Sequence, residues 1–196
     1  MRPGLVIIFI WVGWAVSWVL AARWSNPTES RPSIGPEIAY RLLMGVGAVI
    51  LFVPAHGYEG PLRLWHVGWV GGWLCAVLVG VGVAVAWWAR LHLGRMWSAR
   101  ITRKTDHKVV DSGPYALVRH PIYTGLLLSL LATVVAKGTV LGIAGFLLLV
   151  MGIWLKARLE ERWLLEELGA DAYGDYLGRV PVLLPLGRTR PSDRRP

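Results

Sequence analysis

Gly113-Pro114-Tyr115-Ala116-Leu117-Val118-Arg119-His120-Pro121-Ile122-Tyr123-Thr124-Gly125 stands at the threshold of two apolar segments, 122–136 and 139–155, joined only by Lys137-Gly138. A join this short forces the two segments into an antiparallel helical hairpin. A hairpin returns both its ends to one side of a bilayer. The quoted motif stands at one end, and Lys156-Ala157-Arg158-Leu159-Glu160-Glu161 leaves the other. The two polar clusters are therefore expected to meet. Ionisable residues gathered where a span reaches water are costly to dehydrate, and they mark a candidate site.

Composition places the whole chain in lipid. Of 196 residues 55% are apolar and only 17% charged, with twelve tryptophans, whereas soluble domains carry about 25% charged residues. Apolar runs near 5–22, 38–53, 67–91, 122–136 and 139–155 predict about five transmembrane helices in an all-α integral membrane protein. Crossing the hydrocarbon takes about 20 residues of helix, so the two hairpin arms must extend past these limits or sit in thinned membrane. The run 5–22 lacks a basic leader and reads as a retained span.

The net charge of +9 is distributed as membrane topology requires. Residues 90–119 hold seven Lys and Arg, while the opposite loop 54–66 holds only Arg63 and the hairpin tip only Lys137. Cytoplasmic loops carry the excess of such residues, which puts the 92–121 connection, the candidate site and the C-terminus in the cytoplasm. Arg23, Arg31 and Arg41 assign the 23–41 loop to the same side. The basic tail 186–196 reads as an anionic-lipid contact, and no aromatic-interleaved groove points to nucleic acid. A single membrane domain, 1–196, follows: three N-terminal spans (1–91), a linker, hairpin and C-terminal helix (92–185), then the tail.

Within the spans, the small-residue pairs Gly68/Gly72, Gly138/Gly142 and Gly142/Gly145 predict close helix contacts. Residues 158–168 continue in helix-forming types up to Gly169. The tryptophans near span ends, Trp65, Trp69, Trp87, Trp88 and Trp97 among them, read as an interfacial belt. Gly80-Val81-Gly82 lies inside a span with no strand before it and is no nucleotide fingerprint. The single cysteine, Cys75, and the histidines at 56, 66, 92, 107 and 120 give no zinc-type Cys/His pattern, so no metal is expected. No serine sits in a nucleophile elbow.

A bound small molecule fits these residues better. Ser112-Gly113-Pro114-Tyr115 suits a tight turn, and His120-Pro121 suits a helix start with unpaired N–H groups beyond it. Tyr115, His120 and Tyr123, opposed by Glu160, suit a zwitterion such as an amino-acid-bearing nucleoside.

At these residues the chain resembles the isoprenylcysteine carboxyl methyltransferase family, within the wider group of membrane phospholipid methyltransferases. The pattern is Gly113-Pro114-Tyr115, then Arg119-His120-Pro121-x-Tyr123-x-Gly125, Glu160-Glu161-x-x-Leu164-x-x-x-Leu168-Gly169, Tyr173-x-x-Tyr176 and Val180-Pro181 ahead of Pro185. The resemblance covers roughly Gly94 to Pro185. It implies methyl transfer from S-adenosylmethionine, leaving S-adenosylhomocysteine, to a lipophilic acceptor, often a prenylcysteine carboxylate. It places cofactor contacts on His107, Lys108, Val109, Val110, Tyr115, His120, Pro121, Ile122, Tyr123 and Glu160. The family's substrate-directed arginine falls on Lys156, which lacks a guanidinium's bidentate fork. Arg158, two residues on, points about 200° from Lys156 on a straight helix. As the better carboxylate clamp, Arg158 is the expected acceptor contact, with Glu161 the candidate base for an amine or phenol acceptor. The alternatives are a phospholipid or thiol methyltransferase, a non-enzymatic lipid-binding or scaffold protein, and a membrane reductase using a nicotinamide.

Overall fold

A computed structural model describes residues 2–23, 28–30, 34–52, 62–94, 103–104, 110–169 and 173–186. Among them run α1 (Pro3–Ala22), β1 (Thr28–Ser30), α2 (Ile34–Phe52), α3 (Trp69–Leu93), β2 (Arg103–Lys104), α4 (Pro114–Leu117), α5 (Pro121–Lys137), α6 (Val140–Leu168) and α7 (Asp175–Arg179). Pro3 and Pro121 open α1 and α5, where the ring's missing N–H costs nothing. The protein is a helical membrane protein: α1, α3 and residues 140–166 of α6 are long and apolar enough to cross a bilayer, and α5 is a shorter apolar helix. The all-helical expectation is modified at one place, where β1 pairs antiparallel with β2. These strands come from the two loops that charge assigns to a common side.

The hairpin forms as expected, with its join shifted by one residue. Lys137 ends α5, Gly138 adopts φ 60° and Thr139 caps α6, its hydroxyl accepting from Gly142 N–H at 3.0 Å. A Cβ at Gly138 would lie 2.2 Å from the Trp65 carbonyl, so glycine is required there by both conformation and space. The segment before α3 lies against this tip: Leu64 N–H donates to Gly138 O at 2.8 Å and Val140 N–H to Leu62 O at 3.0 Å. The fifth apolar run and the helical stretch after it form one helix of 29 residues. At 1.5 Å per residue α6 is about 43 Å long, so it outlasts the hydrocarbon by about two turns. Those turns carry the Lys156–Glu161 cluster.

Helix packing departs from the glycine pairs read in sequence. Gly68 has nothing against it, Gly142 meets only Thr139 and Lys137 beside it, and Gly72 touches Pro3 of α1. The tightest approaches lie elsewhere. A Cβ at Gly82 of α3 would stand 2.4 Å from the Gly125 carbonyl of α5, and one at Gly145 of α6 would stand 2.7 Å from the Gly47 carbonyl of α2. Spacing along one helix marks a smooth face without saying what meets it; the partner is set by how the helices pair, α5 on α3 and α2 on α6. Beside the α3–α5 contact the buried Ser129 hydroxyl donates to Val79 O at 2.9 Å, and Trp11 of α1 donates its indole N–H to Thr133 at 3.0 Å. The Ser129 hydroxyl and the Trp11 indole N–H are thereby satisfied inside the bundle without water.

Candidate active site at the open end of the hairpin

The motif before α5 is shaped by one glycine. Gly113 takes φ 57°, and a Cβ there would stand 2.6 Å from the His92 ring, so a side chain is excluded by strain and by space. The turn lets Tyr115 N–H reach Ser112 O at 3.1 Å and starts the single helical turn α4. The His92 ring lies against Tyr115, centroids 6.3 Å apart, with its Nε2 2.9 Å from the Ser112 hydroxyl. Tyr115 is buried, and that burial raises its phenol pKa far above the ordinary tyrosine range. The ring thus enters the site as a neutral donor or acceptor.

The chain beyond α7 folds back on this motif. Arg119 N–H donates to Pro181 O at 2.8 Å, His120 N–H to Val182 O at 3.1 Å, and the Thr124 hydroxyl to Leu183 O at 2.6 Å. The Tyr176 hydroxyl donates to Tyr115 O at 2.8 Å. Arg119 fastens the junction: its Nη1 reaches the carbonyls of Leu177 (2.6 Å) and Val180 (2.8 Å), and its Nε reaches Glu161 at 2.8 Å. The Val180-Pro181 element thus has a physical role, closing the helix start of α5 from below. The N–H groups of Arg119 and His120 are spent on this segment.

The arms of the hairpin meet at Glu160. Tyr123 of α5 places its hydroxyl 2.8 Å from both carboxylate oxygens. His120 stacks on Tyr123, centroids 5.3 Å apart, with Nδ1 3.7 Å from Glu160 and Nε2 3.1 Å from Glu161. Lys156 lies one turn before Glu160, its ammonium 3.7 Å from the carboxylate and 5.4 Å from the Tyr123 ring centroid. Glu160 keeps 19% side-chain exposure while Glu161 keeps 7%. One carboxylate is partly open, and its neighbour is committed to Arg119 and His120.

Of the residues singled out in sequence, the structure brings Tyr115, His120, Pro121, Ile122, Tyr123, Lys156, Glu160 and Glu161 to this end of the bundle. Pro121 and Ile122 are buried as the first residues of α5. Val110 packs against the core, and His107, Lys108 and Val109 lie outside the described residues. Arg158 points outward, half exposed, over the Trp154 ring at 5.6 Å and 3.7 Å from Glu161. Lys156 is the cation turned to Glu160, and the roughly 200° separation of the two side chains is what a straight helix imposes.

Sequence reasoning missed Tyr40. It is buried on α2 and lies 5.9 Å from the Lys156 ammonium, measured to the ring centroid. Beside it, the buried Glu37 pairs with Arg41. The available signal was an acid, a phenol and a cation within five residues at the start of an apolar helix, the pattern that marks functional positions in membranes. Among the described residues no group of three or more His, Cys, Asp or Glu is placed to hold a metal ion.

Residues 74–166 match the isoprenylcysteine carboxyl methyltransferase family. The cobalt-zinc-cadmium resistance protein CzcN of Cupriavidus metallidurans is 31% identical over 140 residues, 70% of this chain and 60% of that protein. A probable protein-S-isoprenylcysteine O-methyltransferase of Oryza sativa subsp. indica is 29% identical over 124 residues, 62% of this chain and 63% of that protein. Methanethiol S-methyltransferase 2 of Bradyrhizobium diazoefficiens is 39% identical over 87 residues, 41% of this chain and 31% of that protein. The chain thus spans no more than 63% of the length of these relatives. The matched stretch contains both arms of the hairpin, Tyr115, His120, Tyr123, Lys156 and Glu160. Through it the chain is similar to the isoprenylcysteine carboxyl methyltransferase family over a little under half of its length.

Proposed function

We propose that this protein is an integral membrane methyltransferase that uses S-adenosylmethionine and acts on a lipophilic acceptor, a prenylcysteine-type carboxylate. The observation that carries the reading is the Tyr123–Glu160 clasp, in which one phenol hydroxyl stands 2.8 Å from both carboxylate oxygens across the helices of the hairpin. It leaves a partly exposed acceptor-only carboxylate among His120, Tyr123 and Lys156. That donor set fits a ligand that is cationic and amino-acid-like, which a carboxylate can neutralise and phenols can flank. Tyr115, His120, Pro121, Ile122, Tyr123 and Glu160 would hold it, with His107, Lys108, Val109 and Val110 arriving from the preceding linker.

When bound, the cofactor supplies a methyl group already activated on a sulfonium. Tyr115, His120, Tyr123 and Glu160 would hold this donor, which would supply a methyl group that an acceptor carboxylate can take without deprotonation. No proton moves, so the protein's tasks are alignment and exclusion of water. Lys156 is the cation placed to orient an anionic acceptor. Glu161, held by Arg119 and His120, serves as a fastener rather than a base. Five spans, with the site and C-terminus on the cytoplasmic side, follow from the loop charges. The β1–β2 pairing supports that reading by joining two loops on one face. The acceptor would enter from lipid between helices and the cofactor from water.

The test is calorimetric titration of S-adenosylhomocysteine into the full chain in detergent. Methyl transfer to a panel of N-acetylated prenylcysteines, alkyl thiols and phosphatidylethanolamine accompanies it. Micromolar binding with transfer to the prenylcysteines is expected. Folded protein that binds no S-adenosylhomocysteine would overturn the reading in favour of a non-enzymatic lipid-binding protein.

A further inference from the structure

Tyr40 is buried on α2 with its ring centroid 5.9 Å from the Lys156 ammonium. The charge on Glu160 acts on its phenol as it does on that of Tyr123. A second tyrosine thus reaches the edge where the hairpin arms meet, from a helix that precedes the family-matched stretch, 74–166. Its backbone is fixed there: a Cβ on Gly152 of α6 would stand 3.2 Å from the Tyr40 carbonyl. Ile38, Leu42, Val46 and Val49 are exposed on the other face of α2, where a membrane helix meets lipid. Among the described residues the Tyr123 hydroxyl has Glu160 as acceptor and the Tyr176 hydroxyl has Tyr115 O, whereas the buried Tyr40 hydroxyl makes no hydrogen bond. We propose that Tyr40 is a specificity-determining residue whose hydroxyl donates to the carboxylate of the methyl acceptor, beside Lys156. This rests on the methyltransferase reading above.

The physical argument is a count of donors and acceptors. Lys156 and Arg41, whose guanidinium stands 5.9 Å from the Tyr40 ring centroid, are donors only, so neither can take the phenol proton. Glu37 is paired with Arg41, and Glu160 already receives the Tyr123 hydroxyl. A buried O–H left without an acceptor forfeits its hydration, and a phenylalanine would pack the same ring without that loss. What this corner lacks is an acceptor. A carboxylate accepts only, through two oxygens, so one oxygen can take the Tyr40 proton while the Lys156 ammonium stays shared with Glu160. The phenol remains neutral and keeps its proton; its contribution is direction. An ammonium is a point charge on a flexible stem and attracts any anion, whereas a hydroxyl on a buried ring sets where the oxygen lies. Hydrogen bonds to an ionised acceptor are the stronger ones, so the hydroxyl favours a carboxylate over a neutral amide or a thiol.

The experiment uses the full chain in detergent, saturated with S-adenosylhomocysteine. It compares binding of an N-acetylated prenylcysteine with binding of its carboxamide, for wild type and Tyr40→Phe. Wild type is expected to prefer the carboxylate. Tyr40→Phe is expected to bind the carboxylate about 10-fold weaker, the fold-change of one hydrogen bond to a charged group, and the carboxamide within about twofold of wild type. S-adenosylhomocysteine affinity and melting temperature should hold, because the ring stays. Tyr40→Met, which also lacks the hydroxyl, makes the same comparison if Tyr40→Phe fails to fold. Carboxylate binding left unchanged would overturn the proposal, as would an equal loss for carboxylate and carboxamide, or a loss of S-adenosylhomocysteine affinity. So would a wild type that takes S-adenosylhomocysteine but no carboxylate. No S-adenosylhomocysteine binding by wild type would instead remove the methyltransferase reading itself.

Discussion

Glu160 and Glu161 leave α6 about 100° apart and enter two regions of different character. Glu161 joins Arg119, His120 and the segment after α7 in a dry knot, where the guanidinium also serves two main-chain carbonyls. Glu160 stands at a partly open edge, where the one Tyr123 hydroxyl is shared between its two oxygens and Lys156 approaches without closing to a short contact. The first arrangement engages one Glu161 oxygen twice, by Arg119 and by His120. The second leaves a carboxylate that can change partners. Adjacent acids on one helix can thus divide fastening from binding.

The comparison breaks first, and hardest, at Arg119. Arg119→Ala should cost about 3–5 kcal/mol of stability by stranding Glu161 and two carbonyls. A lowered melting temperature in detergent and faster proteolysis within 173–186 would report it; an unchanged melt would show that the knot is not the fastener. Glu160→Gln tests the opposite region. S-adenosylhomocysteine affinity should fall about 10- to 100-fold, the worth of hydrogen bonds to a charged group, while the melting temperature holds. A parallel loss of stability would erase the distinction between the two acids.

Smaller effects sharpen the boundary. Tyr123→Phe keeps the ring that faces Lys156 and removes one donor, so cofactor affinity should fall about 5-fold, near 1 kcal/mol. Loss of folding instead would make the clasp structural. Arg158→Ala should leave turnover within about twofold of wild type, as expected for an exposed ion pair. Collapse of turnover with intact cofactor binding would return Arg158 to the acceptor side.

The hairpin was legible because a membrane reads run length and charge directly. Two apolar segments with a two-residue join have one way to fold, and that alone brings Tyr123 towards Glu160. The choice between Lys156 and Arg158 was not legible, because helical spacing separates the two without saying which faces the site. Preference for a guanidinium as carboxylate clamp pointed to Arg158; packing of α2 on α6 turned Lys156 inward. Tyr40 escaped notice for a related reason, since nothing local to α2 reveals that it packs on α6. The glycines divide in the same way. Gly138 was placed correctly at the turn, while the close contacts fell on Gly82 against Gly125 and Gly47 against Gly145.

By itself, the sequence determined that this is a helical membrane protein, that the hairpin ends carry facing polar clusters, and which residues share the family's pattern. These depend on hydropathy, chain connectivity and turn chemistry, all local quantities. Tertiary structure alone decided which helices touch, which of two adjacent acids is locked and which of two cations looks inward. Those outcomes follow from backbone approach and from pairing polar groups away from water, and they depend on residues far apart in the chain.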